Sequence, residues 1–277
     1  MTIYLVGGAP HDDLDTMWDA FVASARNRGN RFTVALFSDG SNATDYLDDY
    51  FAPIIRRFPE ADIDPVWLLK GPETTPDPAP IGGPDTSEAS DTSDTPDAPD
   101  APAQLTPSDS ATVVVEPAGL IVGDGPVPEM LAALSDRFPQ WARQVRRGAQ
   151  YAGFGAGAAV AARYVIAGGW KFQGNQVAPE DAAAGFEEVV LLPGLGLIGL
   201  GVEPYADTRF TTTRAMAALH AADLASAMAL DTKACLAIDA VTGQTKVLGG
   251  GRVCWLTRHG KQTVVRFEAA PVVPGRG

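Results

Sequence analysis

The stretch Thr2-Ile3-Tyr4-Leu5-Val6-Gly7-Gly8 decides the fold class, because it begins with a β-forming run and ends in a glycine turn. An amphipathic helix is predicted to follow over Leu14–Arg28, and a second β-branched run lies at Arg31–Phe37. Two strands joined through one helix by short links are typical of a parallel βαβ unit. This first segment therefore predicts an α/β fold.

The same alternation of strands and helices continues along the chain. Further strands are predicted at Ile63–Leu69, Gly119–Val122, Gln150–Gly153, Val189–Leu192 and Leu197–Val202. Further helices are predicted at Thr44–Phe58, near Pro128–Phe138, from Ala156 onward and at Thr208–Met228. The end of the chain, from Ala234 to Phe267, predicts three strands joined by glycine-containing turns. The pattern predicts a doubly wound, mostly parallel sheet of the flavodoxin-like type, with an antiparallel C-terminal extension.

The segment Gly71–Ser110 differs in composition from the rest of the chain. It holds nine of the 34 acidic residues and nine of the 22 prolines, and it has no Lys, Arg or aromatic residue. Such a segment cannot bury enough apolar surface to offset its chain entropy. We therefore expect one α/β domain over residues 1–277, with a disordered acidic insertion rich in Pro, Ser and Thr at 71–110. The insertion is either passive or a partner-binding segment.

The overall composition excludes several classes of protein. The net charge of −13 leaves no basic stripe, which argues against a nucleic-acid partner. The two cysteines are too few for a disulfide framework or a zinc cluster. The longest apolar stretch, Val189–Val202, is too short to span a bilayer, and the N-terminus lacks a signal-peptide pattern. We expect a cytoplasmic protein with no membrane contact.

Three glycine clusters follow predicted strands, and in such sheets ligands bind beyond the carboxyl ends of the strands. The third cluster fits a dinucleotide fingerprint at Gly153, Gly155 and Ala158, but no acidic strand-end residue follows to hold a ribose. It also fits a nucleophile elbow, Gly-x-Ser-x-Gly, with Gly155 in the place of the serine. We favour the second interpretation and expect no cofactor. The clusters are Gly7-Gly8, Gly123-Asp124-Gly125 and Gly153-Phe154-Gly155-Ala156-Gly157-Ala158.

Five blocks in chain order support the elbow interpretation. They are Leu5–Asp13, Leu120–Gly125, Arg146–Ala158, Gly194–Arg209 and Leu236–Thr242. Together they resemble the S51 peptidase family, which includes dipeptidase E and cyanophycinase. The resemblance covers nearly the whole chain outside Gly71–Ser110. The resemblance implies a fold related to class I glutamine amidotransferases and, for active members, a serine-type hydrolase.

The reactive side chains of that family are missing here. By the resemblance, the serine position falls on Gly155, the histidine position on Tyr205 and the following acid on Ala240. Glycine offers no nucleophilic atom, and a tyrosine with a pKa near 10 is a poor base at neutral pH. The resemblance therefore implies a pseudoenzyme with no intact catalytic residue.

The main chain of the implied site still offers donors for a ligand. An anion pocket is expected at the Ala156 N–H, at the start of a helix, and at an N–H within Gly123–Gly125. The Asp124 side chain would weaken anion binding if it turned inward. Arg209 is a candidate for holding a ligand carboxylate or for a structural ion pair. The ligand expected here is small and acidic or peptide-like.

Two functions from different classes follow. The first is a non-catalytic binding or scaffolding protein, for that ligand, for a protein partner or for a second copy of the chain. The alternative is a hydrolase with a relocated nucleophile, which needs a hydroxyl or thiol beside a histidine near the Ala156 N–H. The run His11-Asp12-Asp13, with Asp15, is interpreted as helix capping, and no metal is predicted.

Overall fold

The computed structural model of the chain describes residues 1–38, 47–69, 116–222 and 224–271. The insertion predicted at Gly71–Ser110 lies outside these residues, as does the start of the helix predicted at Thr44–Phe58. The strands are β1 Thr2–Val6, β2 Arg31–Ser38, β3 Asp62–Leu69, β4 Gly119–Val122, β5 Gln150–Phe154, β6 Tyr164–Gly168, β7 Lys171–Phe172, β8 Asn175–Gln176, β9 Val190–Pro193, β10 Gly201–Glu203, β11 Ser226–Leu230, β12 Ala234–Asp239, β13 Thr245–Gly249, β14 Arg252–His259 and β15 Gln262–Ala269. The helices are α1 Asp15–Arg26, α2 Leu47–Arg57, α3 Val127–Leu134, α4 Phe138–Arg146, α5 Ala156–Val160, α6 Ala206–Arg209 and α7 Thr212–Ala221.

The larger sheet has seven strands in the order β13-β12-β1-β5-β4-β2-β3 within the described residues. Five neighbouring strands of this order, β1, β5, β4, β2 and β3, run parallel to one another. Strands β12 and β13 are antiparallel to their neighbours. The predicted α/β sheet, mostly parallel with an antiparallel C-terminal extension, is confirmed.

Helices cover both faces of this sheet, as a doubly wound fold requires. Successive residues of β1 alternate between the faces, because side chains of a strand point to opposite sides. Tyr4 and Val6 pack with α1 and α2, whereas Ile3 and Leu5 pack with the side of α3, α4 and α5. The N-terminal hydrophobic pattern thus contributes to two separate cores.

A second sheet has the order β10-β11-β14-β15 and is built from the C-terminal third of the described chain. Helix α7 packs on one of its faces, with Ala215, Leu219 and Leu256 in a shared apolar cluster. Strand β11 lies in the interior of this sheet, parallel to β10 and antiparallel to β14.

A buried ion pair ties β10 to α7. Both the guanidinium of Arg214 and the carboxylate of Glu203 are buried, and two hydrogen bonds of 3.0 and 2.6 Å join them. Arg214 also donates to the carbonyl oxygens of Gly169 and Ala182. Because Glu203 is the last residue of β10, this network fixes the chain just before Tyr205.

The prediction of one helix over Thr208–Met228 is wrong. The helical stretch is divided by Phe210, whose backbone is left-handed (φ 53°), and the chain from Ser226 to Leu230 forms β11 instead. The sequence Ser-Ala-Met-Ala-Leu carries helix-forming residues, but its position inside a sheet outweighs that propensity.

Other boundaries also differ from the predictions. Only Gly201 and Val202 of the predicted strand Leu197–Val202 lie in a strand, β10, and the C-terminal region has four strands, not three. The helix predicted near Pro128–Phe138 ends at Leu134, and α4 begins at Phe138 after a 3₁₀ turn. Among the described residues, no helix is long and apolar enough to cross a membrane.

Candidate functional site

The three glycine clusters meet at one edge of the large sheet. Strands β1 and β4 each pair in parallel with β5, so their carboxyl ends lie side by side. Gly7-Gly8 follows β1, Gly123-Asp124-Gly125 follows β4, and Gly155 follows β5. This edge is where an α/β sheet binds ligands.

Gly155 makes a sharp turn from β5 into α5. Its backbone has φ 51° and ψ −115°, a conformation that costs little for glycine and much for other residues. The flanking glycines are also required: a Cβ at Gly153 would lie 2.4 Å from the Gly157 oxygen, and one at Gly157 would lie 2.1 Å from the Val122 oxygen. The turn therefore has the backbone form of a nucleophile elbow without a nucleophile.

The carboxylate of Asp124 occupies the space beside this turn. Its Oδ1 accepts the Ala156 N–H at 2.8 Å. A Cβ added at Gly155 would lie only 2.1 Å from the same oxygen. The Ala156 N–H, which was expected to bind a ligand anion, thus already donates a hydrogen bond to a carboxylate of the chain itself.

Tyr205 binds the other oxygen of the same carboxylate. Its hydroxyl donates to Asp124 Oδ2, and its backbone N–H donates to the Gly7 oxygen at 2.8 Å. Tyr205 has a left-handed backbone, with φ 56° and ψ 29°. Burial, and next the negative charge of Asp124, raise the pKa of Tyr205 above its usual value, so the phenol stays protonated at neutral pH.

Tyr50 completes the surroundings of Asp124. Its hydroxyl oxygen accepts the Asp124 backbone N–H at 3.3 Å. Its ring meets Phe154 edge-on at 5.2 Å, and Trp18 stacks on the same Phe154 at 5.4 Å. Burial raises the pKa of Tyr50 well above its usual value. This aromatic group supports the elbow from the side of α1 and α2.

The remaining residues of the predicted site take different positions. The Gly123 N–H donates to the Ala35 oxygen at 2.8 Å, as part of the sheet edge. The Arg209 guanidinium lies over the Tyr205 ring, 4.8 Å from its centroid. A Cβ at Gly125 would lie 2.8 Å from Phe37 Cβ. Ligand binding by these residues stays a prediction.

The structure does not bring Ala240 to this cluster. Its N–H donates to the Met1 oxygen at 3.1 Å, so it lies beside the first residue of the chain, at the start of β1. Gly155 and Tyr205 lie at the opposite end of that strand. The antiparallel run of β12 along β1 causes this separation. The position that the resemblance gives to the family's acid thus lies away from Gly155 and Tyr205.

The three histidines do not complete a catalytic pair at Gly155. Both ring nitrogens of His11 are buried and have no hydrogen-bond partner, and burial lowers the pKa of this histidine. His220, on α7, has its Nε2 3.4 Å from Oγ1 of Thr263, which lies on β15 of the second sheet. His259 is the last residue of β14 in the same sheet. Among the residues that the structure describes, no group of three or more His, Cys, Asp or Glu is arranged to hold a metal ion.

Sequence reasoning missed Tyr50 and the orientation of Asp124. Tyr50 lies on the buried face of α2, four residues before Ile54, and this spacing identifies it as a core residue only. The glycine pattern around Asp124 indicated a turn at the sheet edge. It carried no signal for the partners of the carboxylate.

Comparisons with known proteins give fold relatives. A comparison with protein-family models gave no match, and neither did a comparison with curated proteins. A peptidase from an acI-B1 Actinobacterium is similar in structure, with a TM-score of 0.54 and 13% identity over 97% of this chain and 94% of that chain. A putative peptidase E protein from Listeria monocytogenes EGD-e has a TM-score of 0.50 and 10% identity, over 90% of this chain and 98% of the other. The chain thus has a peptidase-E-like α/β fold.

Proposed function

We propose that this protein is a non-catalytic binding or scaffolding protein built on a peptidase-E-like fold. The observation that carries the proposal is the carboxylate of Asp124, which accepts the Ala156 N–H and the Tyr205 hydroxyl beside Gly155. Such a network satisfies the polar groups that a hydrolase would leave available for its substrate.

Acyl transfer needs a nucleophile at the elbow and a donor for the oxyanion. Gly155 has no side chain, and the Ala156 amide is engaged by Asp124. Asp124 itself is poorly suited to attack a substrate carbonyl, because its Oδ1 occupies the amide that would have to stabilise the developing charge. The nucleophile and one oxyanion donor are thus both lacking in this arrangement.

The residue at the family's histidine position, Tyr205, does not supply a base. The raised pKa of Tyr205 makes it a hydrogen-bond donor at neutral pH, and its hydroxyl already donates to Asp124. The alternative hydrolase needs a hydroxyl or thiol paired with an imidazole near Ala156. The Thr263–His220 contact has the right atoms, but it belongs to strand β15 and helix α7 of the second sheet.

The position of Asp124 also limits the chemical class of ligand that the site could bind. An acidic ligand at the Ala156 amide would have to displace Asp124 and would meet its negative charge. A neutral peptide-like segment or a protein partner avoids this repulsion. We therefore favour a partner that contacts the rim of the site over a small acid bound within it.

An activity assay tests the proposal directly. The wild-type chain is incubated with dipeptides, isoaspartyl peptides and a cyanophycin-like polymer, and separately with a fluorophosphonate probe. We expect no turnover and no labelled residue. Labelling of a Ser or Thr, or turnover that Asp124→Asn abolishes, would overturn the proposal, because Asn keeps the size of the side chain and removes its nucleophilic charge.

A binding assay tests whether Asp124 fills an anion position. Acetate is titrated while the melting temperature is followed, for the wild type and for Asp124→Gly. We expect no stabilisation of the wild type and a concentration-dependent rise for the variant. Equal stabilisation of both proteins would show that the amide is available to acids despite Asp124.

A further inference from the structure

Strand β15, Gln262–Ala269, is the outer strand of the second sheet. It pairs with β14 in an unbroken antiparallel register from Arg252↔Ala269 to His259↔Gln262. Within the described residues no strand pairs with its other side. One row of backbone N–H and C=O groups is therefore directed away from the sheet.

Apolar side chains are exposed on both faces of this strand. Val264, Val265 and Phe267 are exposed by 53%, 39% and 59%. A strand at the rim of a monomer normally exposes one face only, and large exposed apolar side chains concentrated on one element indicate a contact surface.

The outer strands of the large sheet are protected in ways that β15 is not. Strand β3 carries Pro65 in its middle, between Asp64 and Val66, and a proline interrupts the donor row of an edge. Strand β13 has only five residues, and a short edge strand offers little backbone for pairing. By contrast, β15 has eight residues, no proline and no bulge.

The sequence of β15 is complementary to itself in one antiparallel register. Two copies of β15 related by a two-fold axis perpendicular to the sheet can pair only in certain registers. Side chains alternate between the faces of a strand, and opposed side chains lie on the same face. Each residue therefore lies opposite a residue of the partner strand whose number differs by an even amount. With Phe267 on the axis, the two Phe267 rings face each other, and Arg266 faces the partner's Glu268 twice. The Arg266–Glu268 ion pair within each chain, at 3.0 Å, would then become part of a four-residue network of alternating charges. Centring the pair on Arg266 instead would set two arginines opposite each other.

We propose that β15 pairs antiparallel with β15 of a second copy of this chain, in the register centred on Phe267. The two second sheets then form one continuous sheet through a two-fold axis. This inference does not depend on the proposed function, because Asp124 and Gly155 belong to the large sheet. Paired strands alone form a smaller contact than the roughly 1,200–2,000 Å² of a stable complex, so we expect a dissociation constant in the micromolar range.

Sedimentation velocity on the full chain, over a wide concentration range, tests the proposal. We expect the wild type to pass from monomer to dimer as its concentration rises. Phe267→Lys and Arg266→Glu are each expected to weaken the dimer at least tenfold. The charge exchange Arg266→Glu with Glu268→Arg is expected to restore it, since the cross-pairs are regained with reversed polarity.

The matched control is Val241→Lys, at an apolar position that is 83% exposed outside β15, and it should leave the dimer unchanged. Far-UV circular dichroism and the melting temperature show that each variant is folded. A wild type that stays monomeric overturns the proposal, and so does a folded Phe267→Lys variant that dimerises as tightly as the wild type. A monomer that instead captures added peptide strands also overturns it.

Discussion

The Oδ1 atom of Asp124 lies 2.8 Å from the backbone nitrogen of Ala156, at the first residue of α5. A carboxylate oxygen forms a stronger hydrogen bond with a backbone N–H than a neutral acceptor does. The second oxygen of this carboxylate accepts the Tyr205 hydroxyl. Asp124 therefore joins three segments of the chain: its own segment after β4, the start of α5 at Ala156, and the segment after β10 at Tyr205.

Removing this carboxylate should destabilise the fold. Asp124→Ala leaves the Ala156 N–H and the Tyr205 hydroxyl without their acceptor, which costs about 1–3 kcal/mol for each buried group. Asp124→Asn keeps an oxygen for one donor, and its loss should be smaller. Urea denaturation measures both. Equal stability of the Ala variant and the wild type would contradict a role for the network in stability.

A side chain at position 155 should be tolerated only when Asp124 is absent. Gly155→Ala strains the backbone and places its Cβ 2.1 Å from Asp124 Oδ1, so we expect a loss above 2 kcal/mol. Gly155→Ala with Asp124→Gly should lose less than the sum of the single changes. A double-mutant cycle measures this coupling.

The control for Gly155→Ala is Gly174→Ala. Gly174 also has a positive φ, of 77°, but a Cβ there meets no atom within 4 Å. Its loss of stability therefore reports backbone strain alone, about 1–2 kcal/mol. If both variants lose the same stability, the collision with Asp124 contributes nothing.

Tyr205 should make stability depend on alkaline pH. Its pKa in the folded protein is raised above the ordinary value of 10.0 by burial and by Asp124, so its contribution is complete below about pH 10 and is lost as the pH rises toward the folded pKa. Tyr205→Phe removes this ionisation. The stability difference between wild type and variant, measured by denaturation from pH 8 to 11, should shrink with rising pH. A constant difference would mean that the phenol has the same pKa in both states.

The Glu203–Arg214 pair should be sensitive to the loss of one partner. Glu203→Leu leaves a buried guanidinium with carbonyl partners only, and we expect a loss of about 3–5 kcal/mol. The control is Lys171→Met, which breaks the exposed Lys171–Glu187 pair and should cost at most about 1 kcal/mol. Similar losses for the two variants would show that burial does not set the energy of the first pair.

The parts of the fold that local pattern determines were predictable. Strand β1 is a short apolar run that is buried on both faces of the sheet, and helix α1 has the 3.6-residue periodicity of an amphipathic helix. Strand β11 was not predictable from its sequence, because Ser-Ala-Met-Ala-Leu has no β-branched residue. It is a strand only because it pairs with its neighbours β10 and β14.

The candidate site divides in the same way. The turn at Gly155 was predictable, because close backbone approach requires glycine at fixed spacing. The contact between Asp124 and Tyr205 was not, because 81 residues separate them and three strands must first assemble. The position of Ala240 was not predictable either: a local motif suggested its role, but only the direction of β12 places it beside Met1, at the far end of β1.

The crowding at Gly155 bears on how this turn could change over generations. A side chain can enter at position 155 only if the carboxylate of Asp124 moves away from the Ala156 N–H, and loss of that acid alone leaves two donors unsatisfied. Each route to a serine at this turn thus passes through a less stable protein, whichever change comes first.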